Sequence, residues 1–250
     1  MAKGYFAYLL LGHILGDFYT QTKGMAEKKE NHLIWVLIHG AAYLGAFLLA
    51  ALPIASFDII VVAVIASAAH FLIDLMKHLY LLKIKKSIMT QSFERNMFFG
   101  DQILHIISLI VIGYIATRNN PSIAALKIID DFLIVAGTTG ETAASWTLAL
   151  LIIHKPVNIA IQKLLMVYRP KGKDECGVND NNAGRFIGTV ERLIMLMFIS
   201  IGQYSAIGLV LTAKSIARYD KIAREPEFAE YYLLGTLLST ASVVIASSLL

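Results

Sequence analysis

Three histidine–aspartate pairs sit inside long apolar runs, and no other feature restricts the fold of this chain more. They read GHILGDF (His13, Asp17), AHFLIDL (His70, Asp74) and, in reverse order, GDQILHI (Asp101, His105). The two residues of each pair are four positions apart. On a helix they share one face, about 6 Å apart along the axis. An imidazole or carboxylate in a greasy segment is costly unless it finds a partner. Three such pairs on three segments predict helices that meet at one shared site.

The runs around the pairs set the fold class. Hydrophobic residues make up 57% of the 250 and charged residues only 16%, against about 25% charged in average soluble domains. The expected fold is all-α, a polytopic transmembrane helix bundle with seven or eight hydrophobic helices. An apolar soluble enzyme is the competing reading, and the run lengths disfavour it. The net charge of +4 reflects loop lysines and arginines rather than nucleic-acid binding. A single cysteine, Cys176, excludes an intramolecular disulfide and a cysteine zinc cluster. The first apolar segment carries His13 and Asp17 and lacks a small-residue cleavage site, so it reads as a retained helix.

The expected helices run from about Gly4 to Thr20, His32 to Leu52, Phe57 to Leu82 and Met97 to Thr117. Charged or basic connections separate them at Lys23–Asn31 and Lys83–Asn96, with a tight turn at Pro53–Ser56. The segment Ser122–Ala136 is short for a crossing and reads as re-entrant or interfacial. Thr142–Val167 is long enough to cross, with a kink predicted at His154-Lys155-Pro156. Arg169–Asn182 reads as a soluble loop, Ala183–Leu211 as one span, Lys214–Phe228 as a polar helix and loop, and Ala229–Leu250 as the last span. The organisation expected is one integrated domain. Residues 1–120 form a four-helix half with the His/Asp cluster, and residues 121–250 form a C-terminal half with a basic polar set.

Lysine and arginine set the expected orientation. The first connection has three, the turn after the second helix none, and the connection after the third helix four. That side is expected to be cytoplasmic, in a bacterial inner membrane, with the N-terminus outside. A simple count then puts Lys214, Arg218, Lys221 and Arg224 outside, so either the middle topology differs or that segment is embedded. Antiparallel neighbours bring Asp17, His39, Asp74, Asp101 and His105 to similar depth, toward the cytoplasmic face.

Imidazole and carboxylate together suit a divalent metal, zinc first, with manganese or iron as alternatives. Candidate ligands are His13, Asp17, His39, His70, Asp74, Asp101 and His105. A catalytic zinc needs about three protein ligands plus water, so this set allows two metals, or one metal and an outer shell of orienting groups. Carboxylates left over, Asp17 and Asp101, are candidates for proton transfer. Each histidine and aspartate also has a bland reading as a helix–helix hydrogen bond worth about 1 kcal/mol. His32, His78 and His154 are expected to be ordinary polar positions.

The C-terminal half carries Arg185, Glu191, Arg192, Gln203, Lys214 and Arg218. These are candidates for binding a phosphate or lipid headgroup, with an internal ion pair as the structural alternative.

Several of these strings, LLGHILGDFYTQT, AHFLIDLMK and FFGDQILHI together with His39, resemble a bacterial membrane family known only as domain of unknown function number 3307. AGRFIGTVER, GQYSAIG, AKSIARY and AEYYLLGTLLS look like the C-terminal part of its longer members. More distantly, the His and Asp pattern is similar to bacterial membrane-bound metal-dependent hydrolases. That likeness implies a metal role for the seven candidate ligands and implies nothing about substrate.

Three functions stay open. The first is a metal-dependent integral membrane hydrolase of a lipid-linked or amphipathic phosphate or ester. The second is a proton- or ion-coupled transporter or channel, and the third a non-catalytic membrane partner. Expected partners are the bilayer and a lipid-like or phosphate-bearing small molecule, with a homo-oligomer compatible and nucleic acid not expected.

Overall fold

A computed structural model describes residues 2–54, 56–84, 90–119, 123–169 and 180–250. Lys85, Lys86, Cys176 and most of the expected soluble loop lie outside these residues. All regular structure among them is helical.

The chain forms two compact units, Met1–Leu148 and Ala149–Leu250. The first unit begins with α1 (Ala2–Ile14), which continues without a break into a π-helical segment, Leu15–Thr20. α2 (Lys23–Asn31), α3 (Leu33–Ala51), α4 (Phe57–Lys83), α5 (Gln91–Asn119) and α6 (Lys127–Val135) follow. α7 (Gly140–Leu165) begins in the first unit and ends in the second, which also holds α8 (Asp180–Ser200), α9 (Tyr204–Ile216), α10 (Tyr219–Arg224) and α11 (Pro226–Ser247).

Five helices among the described residues are long and apolar enough to cross a membrane: Leu33–Ile54, Phe57–Lys83, Gln91–Asn119, Gly140–Leu165 and Pro226–Ser247. Their burial pattern is that of a chain in lipid. On α5, Asp101, His105, Leu109, Gly113 and Ala116 face inward. Their neighbours Leu104, Ile107, Val111 and Ile115 are exposed: Leu104 is 53% exposed and His105 1%. α4 repeats this, with Ala66, His70, Asp74 and His78 inside and Leu72, Met76 and Leu79 outside. In water this distribution would be unfavourable, whereas a hydrocarbon surround solvates the apolar exterior.

In the first unit α1 packs against α3 and α5, and α4 against α3 and α5. One part of this bundle is apolar, built from Tyr5, Tyr8, Leu9, Phe47, Ile59, Val62 and Leu109 among others. The polar pairs lie farther along the same helices. α1 and α3 come close because of two glycines. A β-carbon at Gly12 would stand 2.7 Å from the Phe47 ring, and one at Gly16 would collide with the ring of Tyr43.

Three expectations are sharpened or corrected. The charged connection Lys23–Asn31 is itself a helix, because Thr22 caps it: its hydroxyl accepts from the Met25 N–H at 3.2 Å. α5 starts at Gln91 rather than Met97 because Thr90 caps it in the same way, accepting from the Phe93 N–H at 3.2 Å. The single span expected over Ala183–Leu211 is two helices. α8 stops at Ser200, Gly202 takes φ +73°, and the Gln203 N–H reaches back to the Phe198 carbonyl at 2.8 Å. This is the glycine-dependent helix stop that a β-carbon would strain. The short apolar segment is α6, nine residues with none buried. At about 1.5 Å per residue it is too short to cross.

Candidate metal centre

The three pairs and His39 converge inside the first unit. The π-helical segment at the end of α1 carries Asp17, α3 carries His39, α4 carries His70 and Asp74, and α5 carries Asp101 and His105. All are nearly inaccessible, from His39 at 0% to Asp101 at 9%. His13 lies in the same cluster, its ring 5.5 Å from that of His105.

Four atoms approach one another most closely. The Nε2 of His39 is 3.1 Å from the Nε2 of His70, 3.2 Å from Asp17 Oδ1 and 3.4 Å from Asp74 Oδ2. The Nε2 of His70 is 3.3 Å from Asp17 Oδ1 and 3.4 Å from Asp74 Oδ2. Ligands about 2.0–2.2 Å from a tetrahedral ion stand about 3.3–3.6 Å apart. The observed separations are close to that edge length. Two nitrogens and two oxygens are also the donor chemistry that zinc, manganese or iron takes. These residues therefore fit a divalent cation.

A hydrogen-bonded chain orients this set. The Tyr43 hydroxyl donates to His13 Nδ1 (3.1 Å), His13 Nε2 to Gln102 Oε1 (3.3 Å), and Gln102 Nε2 to Asp17 Oδ2 (3.1 Å). The amide oxygen of Gln102 requires the proton on His13 Nε2, which leaves Nδ1 as the acceptor. Both nitrogens of His13 are thus occupied, and its place is to hold Asp17 with Oδ1 turned to the centre. Tyr43 also stacks on His70, with ring centroids 3.6 Å apart and planes 9° apart, and His70 stacks on His105 at 4.1 Å. Gly16 makes that stack accessible, since any side chain there would push Tyr43 away. The π-helical turn re-aims Asp17, which reaches across to His39 and His70, while its distance to His13 Nδ1 is 3.9 Å. Thr20 returns its hydroxyl to the Gly16 carbonyl at 2.7 Å and satisfies the backbone there.

Two lysines complete the cluster. Lys29, on α2, meets Asp74 Oδ2 at 2.8 Å and Gln21 Oε1 at 3.3 Å, and its carbonyl accepts from His78 Nδ1 at 2.9 Å. Lys77, on α4, meets Asp101 Oδ2 at 2.8 Å. Three carboxylates and two ammonium groups leave one net negative charge when the histidines are neutral. Several buried atoms still lack a hydrogen-bond partner among the described residues: Asp74 Oδ1, Asp101 Oδ1, both nitrogens of His105, and Nδ1 of His39 and His70. A native interior seldom leaves so many polar atoms unpaired in one place.

Sequence reasoning missed Tyr43, Gln102, Lys29 and Lys77 as parts of the site. Tyr43 follows His39 by four positions, and Lys77 follows Asp74 by three, so helical spacing carried a signal for both. Lys29 lay in a segment read only as a charged connection between spans. Gln102 is adjacent to Asp101, and nothing in its spacing pointed to His13.

The C-terminal candidates are arranged otherwise. Arg192 is 2% exposed. Its Nε donates to the Ile153 carbonyl (2.7 Å), Nη1 to Ser239 (3.2 Å), and Nη2 to Asn158 Oδ1 (2.7 Å) and Thr189 (3.2 Å). Pro156 lies inside α7, three residues after Ile153. The Asn158 amide covers the neighbouring His154 carbonyl at 2.6 Å. Glu191 pairs with Lys214 at 2.7 Å. The Arg185 carbonyl accepts from Thr189 at 3.0 Å, and Gln203 and Arg218 are exposed at helix boundaries. A cavity of about 250 Å³ in this unit is lined by Tyr168, Arg169, Glu227 and Glu230 among others, and by none of the six expected substrate residues.

A protein family described as a protein of unknown function (DUF3307) matches residues 5–134. That stretch spans more than half the chain and includes every residue of the cluster, and the chain belongs to this family. No curated protein and no solved structure matches it.

Proposed function

We propose that this member of a family of unknown function is a metal-dependent integral membrane hydrolase, acting on a lipid-linked or amphipathic phosphate or ester. One observation carries the reading: Asp17 Oδ1 and Asp74 Oδ2 each stand 3.2–3.4 Å from the Nε2 atoms of both His39 and His70, close to the ligand–ligand spacing around a tetrahedral ion, in a bundle whose helices include several long and apolar enough to cross a membrane. A bound dication that exchanged one of these ligands for water, or expanded to five ligands to take one, would lower the pKa of that water toward about 7 and draw charge from a phosphoryl or carbonyl oxygen. The chain's own residues do the rest. Tyr43, His13 and Gln102 hold Asp17, and the Tyr43–His70–His105 stack holds the rings. Lys29 and Lys77 offset carboxylate charge, so that an anionic group is not repelled. His105 and Asp101 carry buried atoms without a hydrogen-bond partner and would be available to a further ligand. Zinc is the cation this nitrogen and oxygen set favours, with manganese or iron as alternatives.

The remaining expectations belong to the same proposal. Seven or eight crossings would include α1 with its π-helical continuation and α8. The membrane would be the bacterial inner membrane with the cluster toward the cytoplasm, because the lysine-rich α2 reaches the cluster through Lys29 and lysines favour the cytoplasmic side. Arg185, Glu191, Gln203, Lys214 and Arg218 would help to hold an anionic headgroup. Arg192, occupied by backbone and neutral side chains of its own unit, fits a structural part instead.

The test is metal analysis of the detergent-purified chain. At least one equivalent of zinc, manganese or iron per chain is expected after metal-replete growth, together with hydrolysis of a phosphate-bearing lipid in mixed micelles. Purified protein with no stoichiometric metal would end the proposal. One feature favours a second reading. An unbroken series of ionisable groups runs from Lys29 through Asp74, His70 and His39 to Asp17, with neighbours 2.8–3.4 Å apart, as a proton-coupled transporter requires. Proteoliposome flux by metal-free protein, abolished in Asp17→Asn and Asp74→Asn, would select it.

A further inference from the structure

The four-atom centre uses one oxygen of Asp74. Its other oxygen, Oδ1, points away from that centre and has no hydrogen-bond partner. His105 Nε2 stands 3.8 Å from Asp74 Oδ1 and 3.5 Å from Asp101 Oδ1. Both approaches are within ion-pair range of a protonated His105, yet neither has hydrogen-bond geometry, and all three atoms are buried without a hydrogen-bond partner. They also lie within 4.8 Å of one another, close enough to share one ion. Asp101 Oδ2 is held by Lys77, which fixes Oδ1 toward this point.

We propose that the cluster is a two-metal centre bridged by Asp74, with the second cation held by Asp74 Oδ1, Asp101 Oδ1 and His105 Nε2. This rests on the hydrolase reading and divides its labour. The first position is closed by four protein atoms, the pattern of a cation that anchors structure. The second has three protein atoms, the number a catalytic cation takes, which would leave its remaining coordination places to water and substrate. A carboxylate shared through both oxygens sets two ions close together, and in two-metal hydrolytic sites they stand about 3.5–4 Å apart. The second ion is therefore where water and the anionic part of the substrate would be taken up. Charge points the same way. Two dications turn a cluster with one net negative charge into one with three positive charges, which selects a phosphate ester over a neutral carboxylic ester. The substrate class is accordingly a phosphate-bearing amphiphile.

Manganese(II) is the probe, because its electron spin resonance reports the spacing of ions as well as their number. The purified full chain, stripped of metal and titrated with manganese(II), is expected to bind two equivalents with a spin-coupled signal. Asp101→Asn, which keeps the size of the side chain, is expected to bind one equivalent with the six-line signal of an isolated ion. His105→Gln should do the same, and His39→Gln should lose the closed position. If the wild type binds one ion that Asp101→Asn retains and His39→Gln loses, the second position is refuted and Asp101 returns to the role of proton acceptor. The hydrolase reading would survive that result. Two ions that stay uncoupled, or that both persist in Asp101→Asn, also refute the bridge. A wild type that binds none overturns both readings at once.

Discussion

Both units bury charged groups among apolar helices, and the comparison between them separates a ligand site from a structural one. In the second unit Arg192 is buried with no carboxylate among its hydrogen-bond partners, and Nε, Nη1 and Nη2 each donate to a neutral oxygen of the same unit. In the first unit, carboxylates and imidazoles crowd within 3.1–3.8 Å of one another, yet six of their nitrogen and oxygen atoms lack a partner. Burial of a polar group is costly in either place. Around Arg192 the second unit meets that cost with its own backbone and side chains. The first leaves it partly unmet, which is the state expected of a site that awaits a cation.

The largest effect should come from Asp74, the residue common to both proposed positions. Asp74→Ala is expected to remove all bound metal and all hydrolytic activity, by elemental analysis and a lipid-phosphate assay. Retention of stoichiometric metal would place the centre elsewhere. Arg192→Met provides the contrast. It should leave the metal content unchanged while it lowers stability by about 1–3 kcal/mol for each buried acceptor it strands, read from denaturant unfolding in detergent. A loss of metal in Arg192→Met would break the distinction between the units.

Next in size is the orienting chain. His13→Ala should keep the metal stoichiometry but weaken affinity about 10–100-fold, the usual cost of removing a group that positions a ligand. Competition with a chelator measures it. Gly16→Ala should act in the same direction, because its β-carbon displaces Tyr43 from the His70 stack, and overpacking of this kind costs about 1–3 kcal/mol. The smallest effect belongs to Lys214→Ala. Its partly exposed pair with Glu191 is worth about 0.2–1 kcal/mol. A larger loss in lipid-phosphate turnover than in stability would restore Lys214 to the substrate role.

Much of this was legible before any coordinates. Long apolar runs announced the helices because only segments that bond their own backbone can enter lipid. His70 and Asp74 were legible as site candidates because such residues seldom enter a membrane helix without purpose. The partners that hold them were less visible. Tyr43 and Gln102 are unremarkable in composition, and what makes them matter is that α1 meets α3 and α5. The π-helical turn at Asp17 was invisible, since i, i+4 spacing presumes a regular helix. In the C-terminal half, six polar residues looked alike in the sequence. Only packing separated Arg192, enclosed by neutral oxygens, from Gln203 and Arg218 on the surface.

The opening pairs mark the division. The sequence by itself determined that this chain is helical, that several of its helices are fit for a membrane, and that histidine and aspartate share faces on two of them, α4 and α5. These follow from local rules of periodicity and transfer free energy, which act within one segment. Tertiary structure alone decided that His39 and Asp17 join the pair on α4, that His13 turns its nitrogens to Tyr43 and Gln102, and that Asp74 presents one oxygen to each of two sites. Coordination depends on distances of 3–4 Å between atoms far apart in the chain, and those are set by how helices meet.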